Sequence, residues 1–117
     1  FPAMTKVTQH GNRLTIGDTE IKFEEEIQEA LEYDGMIVVL LDYSDLSPEY
    51  KNQNIIGVDK DGNRLWKIDS SPRATERDNP YTGVGIADNN VIAYTWQGMA
   101  VLIDSDDGSW TSYGLTK

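Results

Sequence analysis

Apolar positions along this chain come in short runs, often alternating with polar ones, and clusters of Gly, Asn and Asp separate the runs. Alternation with a period of two marks a strand with one buried face, and Gly, Asn and Asp supply the positive φ that tight hairpin turns require. Gly11-Asn12 separates Lys6–His10 from Arg13–Ile16, and Gly17-Asp18-Thr19 then leads into Glu20-Ile21-Lys22-Phe23. The pattern predicts an antiparallel β-meander.

Glu24–Tyr33 is the one stretch with helix-like composition, placing Ile27, Ala30 and Leu31 at i, i+3 and i+4. It is short and lacks a clear N-cap, so a helix there is marginal. The form that competes with the helix is a strand broken by a bulge, and an irregular or extended segment is favoured. Asp34-Gly35 is a turn signal. Met36–Asp42 after it is apolar at successive positions, as expected of a central strand covered on both faces. Tyr43–Gln53 is polar, carries Pro48, and reads as a surface loop. Asn54–Asp59, a turn at Lys60–Asn63 and Arg64–Asp69 form the clearest hairpin, because Asp-Gly between alternating apolar residues is the strongest short-range hairpin signal. After the loop Ser70–Pro80, a final meander runs through Tyr81–Ala87, Val91–Trp96, Met99–Asp104 and Ser109–Leu115. About eight to ten strands result, which suits a sandwich, a small barrel or a strongly coiled sheet. The expected fold class is mainly all-β with at most one short helix. Phe1-Pro2-Ala3 reads as a vector remnant or trimmed tag ahead of Met4, and 4–117 as a single β domain.

Composition changes this picture chiefly through charge. Twenty acidic residues against ten basic give a net charge of −10, which repels nucleic-acid phosphate and anionic membrane surfaces and leaves a basic protein as the more compatible partner. No cysteine is present, so thiolate chemistry, disulfides and cysteine-based metal sites are excluded, and a cytoplasmic location is the expectation. The longest apolar run, Met36–Leu41, is too short for a membrane-spanning helix.

Candidate chemistry is sparse. Asp59–Asn63 and Asp104–Gly108 look like fragments of calcium loops, but the residue twelfth from Asp104 is Leu115 rather than Glu, so hairpin turns are the preferred reading and no metal site is expected. His10 stands alone, without a serine elbow or cysteine to serve. Gly83-Val84-Gly85 lacks the helix and Lys-Ser/Thr of a phosphate loop and reads as a strand with a bulge or crowded crossing. No catalytic residue or cofactor is assigned, and the chain is expected not to be an enzyme. The aromatic residues Trp66, Tyr94, Trp96, Trp110 and Tyr113 collect in the second half. Ile92, Tyr94 and Trp96 share one strand face, and Met99, Val101 and Ile103 share another; one face packs in the core, and the other is a candidate aromatic platform.

Tyr33–Leu41, Asn54–Ile68, Asn79-Pro80-Tyr81, Trp96-Gln97-Gly98, Ile103-Asp104 and Asp107-Gly108 together resemble a family of small uncharacterised microbial all-β proteins. Its members look like one or two blades of a pyrroloquinoline-quinone-type β-propeller. The blade's D-x-x-G-x-x-x-W motif corresponds here to Asp59, Gly62 and Trp66. The resemblance implies an all-β fold and brings no activity with it, and a lone blade-like unit lacks the ring that the propeller cofactor needs.

Three functions follow as expectations. The first is an acidic inhibitor- or immunity-type module that binds a basic protein. The second is a binder or sequestering protein for a nucleotide-like small molecule, which would stack on Tyr94, Trp96 or Trp110 and meet Arg73 and Arg77 of the 70–80 loop. The third is a homodimer paired through exposed edge strands.

Overall fold

Eleven strands in three antiparallel sheets make up the computed structural model, which describes residues 6–75 and 77–115, the side chains of Asp45 and 111–115 excepted. Phe1-Pro2-Ala3, read as a remnant, and the side chain of Tyr113 lie outside that description. β1 (Val7–His10), β2 (Arg13–Ile16) and β3 (Thr19–Lys22) form the first sheet. The second is the meander β4 (Ile27–Tyr33), β5 (Met36–Leu41), β6 (Ile55–Asp59) and β7 (Arg64–Lys67). The third is β8 (Tyr81–Ala87), β9 (Asn90–Thr95), β10 (Met99–Ile103) and β11 (Trp110–Leu115). The all-β expectation holds, the meander order is as read, and none of the sheets closes into a barrel.

The second sheet is the middle layer, and β5 explains why. All six of its residues are buried, and they divide by parity: Met36, Val38 and Leu40 pack toward the third sheet, while Ile37, Val39 and Leu41 pack toward the first. β6 divides the same way, with Ile55 on the third-sheet side and Ile56 and Val58 on the first-sheet side. Each fully buried aliphatic is worth roughly 1.5–3 kcal/mol over exposure, so a strand apolar at every position is stable only between two layers.

Glu24–Tyr33 contains β4, a strand with a bulge, which was one of its expected forms, and the eleven described strands exceed the expected eight to ten. Ile27 and Ala30 owe their helix-like spacing to a bulge at Gln28: Ile27 pairs with Leu41 and Ala30 with Val39, so the extra residue puts i and i+3 on the same face, while Leu31 faces the third sheet. The 43–53 stretch, read as a surface loop, contains two single-turn 3-10 segments, Tyr43–Asp45 and Pro48–Tyr50. Its Tyr50 is buried: the hydroxyl donates to Glu24 Oε1 at 2.6 Å and accepts from Arg64 Nη1 at 3.2 Å.

The second and third sheets are built to one plan. Each opens on a seven-residue strand whose second residue, Gln28 or Thr82, is the bulge. The two bulges meet, Gln28 Nε2 donating to the Thr82 carbonyl at 3.2 Å. Each first strand then turns at a two-residue hairpin, Asp34-Gly35 (φ 49° and 80°) or Asp88-Asn89 (φ 52° and 61°), the paired positive φ of a type I′ turn. Buried asparagines join the layers: Asn54 donates to the carbonyls of Leu41 and Tyr81 at 2.9 and 2.8 Å and accepts from Tyr81 N at 2.9 Å.

Candidate functional site

The outward face of the third sheet follows from its register. Val91, Ala93, Val101 and Ile103 point inward onto the second sheet, so their neighbours point out. Across the strands Gly83 stands opposite Tyr94 and Tyr94 opposite Ala100, while Gly85 stands opposite Ile92 and Ile92 opposite Leu102. This patch carries no ionisable group other than the Tyr94 phenol. The outward face of the first sheet contrasts with it, presenting Thr8, His10, Arg13, Thr15, Glu20 and Lys22. Gly83 and Gly85 leave the β8 backbone bare. A Cβ on Gly85 would meet nothing within 4 Å, so of the two forms expected from sequence the strand with a bulge is found, at Thr82, and the crowded crossing is not.

Two of the expected site residues lie on this surface: Tyr94 is 41% exposed and Trp96, two positions further along, 64%. The backbone around Trp96 is fixed. Its N–H donates to the Pro80 carbonyl at 2.9 Å, and Gln97 N donates to buried Asn79 Oδ1 at 2.8 Å. Its ring tilts at 48° against Tyr43, with centroids 5.8 Å apart, and the pair lines an open groove of about 340 Å³ with Ser44, Asp78 and Pro80. The cation beside this groove is Lys51, held by Asp78 at 3.0 Å.

The other expected site residues are not brought together with these. Arg73, at φ 63°, and Arg77 are exposed in the 70–80 loop, and neither lines the groove. Trp110 packs against the core between the second and third sheets and donates its Nε1 to the Ser70 carbonyl at 2.9 Å, so it is no stacking platform beside Trp96. Trp66 is likewise a core residue. Tyr43 was missed by the sequence reading because it lies in a polar stretch, and only the fold brings it to Trp96.

Aspartate-bearing turns gather at the opposite end of the stack, while Glu25, Glu26, Asp42 and Asp78 lie at the groove end. Asp34 and Asp61 lie in the hairpin turns of the second sheet with Asp59 at the end of β6 beside them, Asp88, Asp104, Asp106 and Asp107 in those of the third, and Asp18 in the β2–β3 turn. Three contacts show that these turns share one end: Tyr33 Oη donates to the Asn89 carbonyl, Trp66 Nε1 to the Ser105 carbonyl at 2.8 Å, and Gly62 lies against Ile21. The carboxylates also work locally. Asp59 Oδ1 accepts from the amides of Asp61 and Asn63 at 2.9 Å, and Asp104 Oδ1 from that of Asp106 at 2.9 Å, which is a turn-forming role. Asn63 first, and the Asp61 amide after it, hold Asp59 below the usual carboxylate range; the Ser109 amide and hydroxyl do the same for Asp107. Among the described residues no group of His, Cys, Asp and Glu is placed to hold a metal ion, and no helix is long and apolar enough to cross a membrane.

The family model described as "Domain of unknown function (DUF7957)" matches residues 4–115, so the chain belongs to that family. No curated protein matches the sequence. Among solved structures, the computationally designed Ika8 protein superposes with a TM-score of 0.66 at 12% identity, covering 97% of this chain and 34% of that one. The likeness concerns the fold alone, and this chain spans about a third of the designed protein's length.

Proposed function

We propose that this member of the DUF7957 family is a non-enzymatic binding module for a basic protein, acting in the manner of an inhibitor or immunity protein. The observation that carries the reading is the gathering of aspartate turns from all three sheets at one end of the stack. With a net charge of −10, these turns create a field that steers a basic partner and repels phosphate backbones. The test is capture by the tagged full chain followed by affinity measurement from about 50 mM to about 500 mM salt, where the screening length falls severalfold. Captured partners with a basic bias and an affinity that drops steeply with salt are expected. Captured proteins of ordinary charge, or an affinity flat in salt, would refute it.

The architecture enters the same proposal. Two four-stranded meanders stacked face to face, with Trp66 of one packed on the β10–β11 turn of the next, support reading each as a propeller-type blade. A second functional reading, a small flat ligand in the groove lined by Tyr43 and Trp96, is favoured by the exposed Trp96 ring and the neighbouring Lys51. Thermal-shift screening with nucleotides tests it, and no stabilisation by any of them would remove it.

A further inference from the structure

We infer that the outward face of the third sheet, centred on Ile92, Tyr94 and Leu102, is the surface on which that basic partner docks; the inference rests on the function proposed above. The repeat between the sheets identifies the face. In the second sheet Val38 and Leu40 of β5, with Ile55 and Gly57 opposite them on β6, lie beneath the third sheet. The corresponding register in the third sheet is Ile92 and Tyr94 of β9, with Leu102 and Ala100 opposite, and it faces outward, with Tyr94 41% exposed. One position is therefore core in one copy of the plan and surface in the next.

The residue changes fit a docking face better than an exposed core. Val38 is matched in register by Ile92, Leu40 by Tyr94 and Gly57 by Leu102, while Ile55 gives way to Ala100 and Met36 to Asn90, so the centre of the face gains apolar bulk and a Tyr, a residue enriched at protein interfaces. Gly83 and Gly85 keep one side of it flat. Four strands and about five residues of depth give about 19 by 17 Å, roughly 300 Å², by standard strand spacings. That is less than half of the ~800 Å² per partner that a specific complex usually buries, so contact must extend past the patch. It has somewhere to go: the acidic turns Asp88, Asp104, Asp106 and Asp107 at one end and Trp96 with Tyr43 at the other. Charge selects the occupant. A second copy would bring two chains of net charge −10 together, whereas a protein with a flat apolar patch edged by Lys and Arg complements both the face and its acidic rim.

A photoreactive benzophenone side chain is placed at Ile92, at Leu102 and, as a control on the polar outer face of the first sheet, at Thr15. Adducts formed in cells are identified by mass spectrometry, and the captured protein is then purified and titrated against the full chain. Expected are adducts from Ile92 and Leu102 to one basic protein with none from Thr15, binding weakened at least tenfold by Tyr94→Arg, and a shallower salt dependence in an Asp88→Asn/Asp106→Asn/Asp107→Asn variant. Circular dichroism confirms that each variant is folded. A basic partner that crosslinks from Thr15 and not from Ile92 or Leu102, or that binds Tyr94→Arg as well as the parent, overturns this face and leaves the basic-partner reading standing. A face that crosslinks only to a second copy, or to a partner without basic character, overturns the occupant. Absence of any basic partner from all three positions and from the salt-dependent capture overturns the functional reading together with this inference.

Discussion

The indole of Trp66 lies directly over Gly108, across the boundary between the second and third sheets. A Cβ placed on Gly108 would fall 2.6 Å from Trp66 Cε3, and one on Gly57, on the strand beside Trp66, 2.4 Å from its Cε2. The ring is held between two glycines, and its Nε1 is anchored on Ser105. Gly57→Ala forces a packed ring to move and should cost about 1–3 kcal/mol or more. Gly108→Ala adds the strain of a non-glycine residue at φ 81°. Gly85→Ala, on the open face, should cost little by comparison. Urea unfolding of the three variants checks this, and equal stabilities would mean that Trp66 does not hold the sheets together.

The asparagines at the layer junction should behave as indivisible units. Asn54 is fully buried and satisfies two carbonyls and one amide through a single side chain. Asn54→Leu fills the volume but leaves those backbone groups without partners, each costing about 1–3 kcal/mol. The expected result is a loss of several kcal/mol in chemical denaturation, large for so small a domain. A near-neutral Asn54→Leu would show that other groups take over those partners.

Stability should fall at both ends of the pH scale. The Tyr50 hydroxyl first, then Arg64, hold the Glu24 carboxyl below its usual value of 4.5, against a smaller opposing effect of burial. A folded pKa below the unfolded one means that the ionised form stabilises the native state, so this contribution is present above about pH 4.5 and is lost as pH falls through the folded value. Burial raises Tyr50 and Tyr81 above their usual 10, aided by the carboxylates of Glu24 and Asp69 respectively, so their contribution is complete below pH 10 and is lost as pH climbs beyond it. Relief of carboxylate repulsion in acid acts the other way but is common to parent and variant. Thermal midpoints of the parent and Glu24→Gln, measured from pH 3 to 7, should converge as the pH drops. A constant gap between them would show that the Glu24–Tyr50–Arg64 group does not titrate as a unit.

Much of this fold is legible in the sequence because the turns announce themselves: Asp34-Gly35, Lys60–Asn63 and Gln97-Gly98 each sit where a hairpin closes, and the unbroken apolar run of β5 marks the middle layer. β4 was harder to read. Its bulge at Gln28 spaces Ile27 and Ala30 as a helix would, and only pairing with β5 resolves the ambiguity. The candidate site divides along the same line. Alternation placed Tyr94 and Trp96 on one face, but it could not say that this face points outward, nor that Trp110 turns inward to Ser70. Tyr43 and Trp96 are far apart in sequence, and their contact is a product of how the layers stack.

The same register comparison yields the sharpest test of the open face. Leu40 and Tyr94 occupy matching places in the second strands of their sheets, one fully buried and the other 41% exposed. Truncating a buried leucine usually costs about 2–5 kcal/mol, so Leu40→Ala should fall in that range. Tyr94→Ala removes a larger side chain, yet it should cost under about 1 kcal/mol, since it loses only strand propensity and partial contacts. Equilibrium urea denaturation at low and high protein concentration separates two outcomes. Similar losses for the two variants at every concentration would show that Tyr94 is packed within the single chain. A Tyr94→Ala cost that grows with protein concentration would reveal self-association through this face, placing a second copy of the chain where a basic partner is proposed.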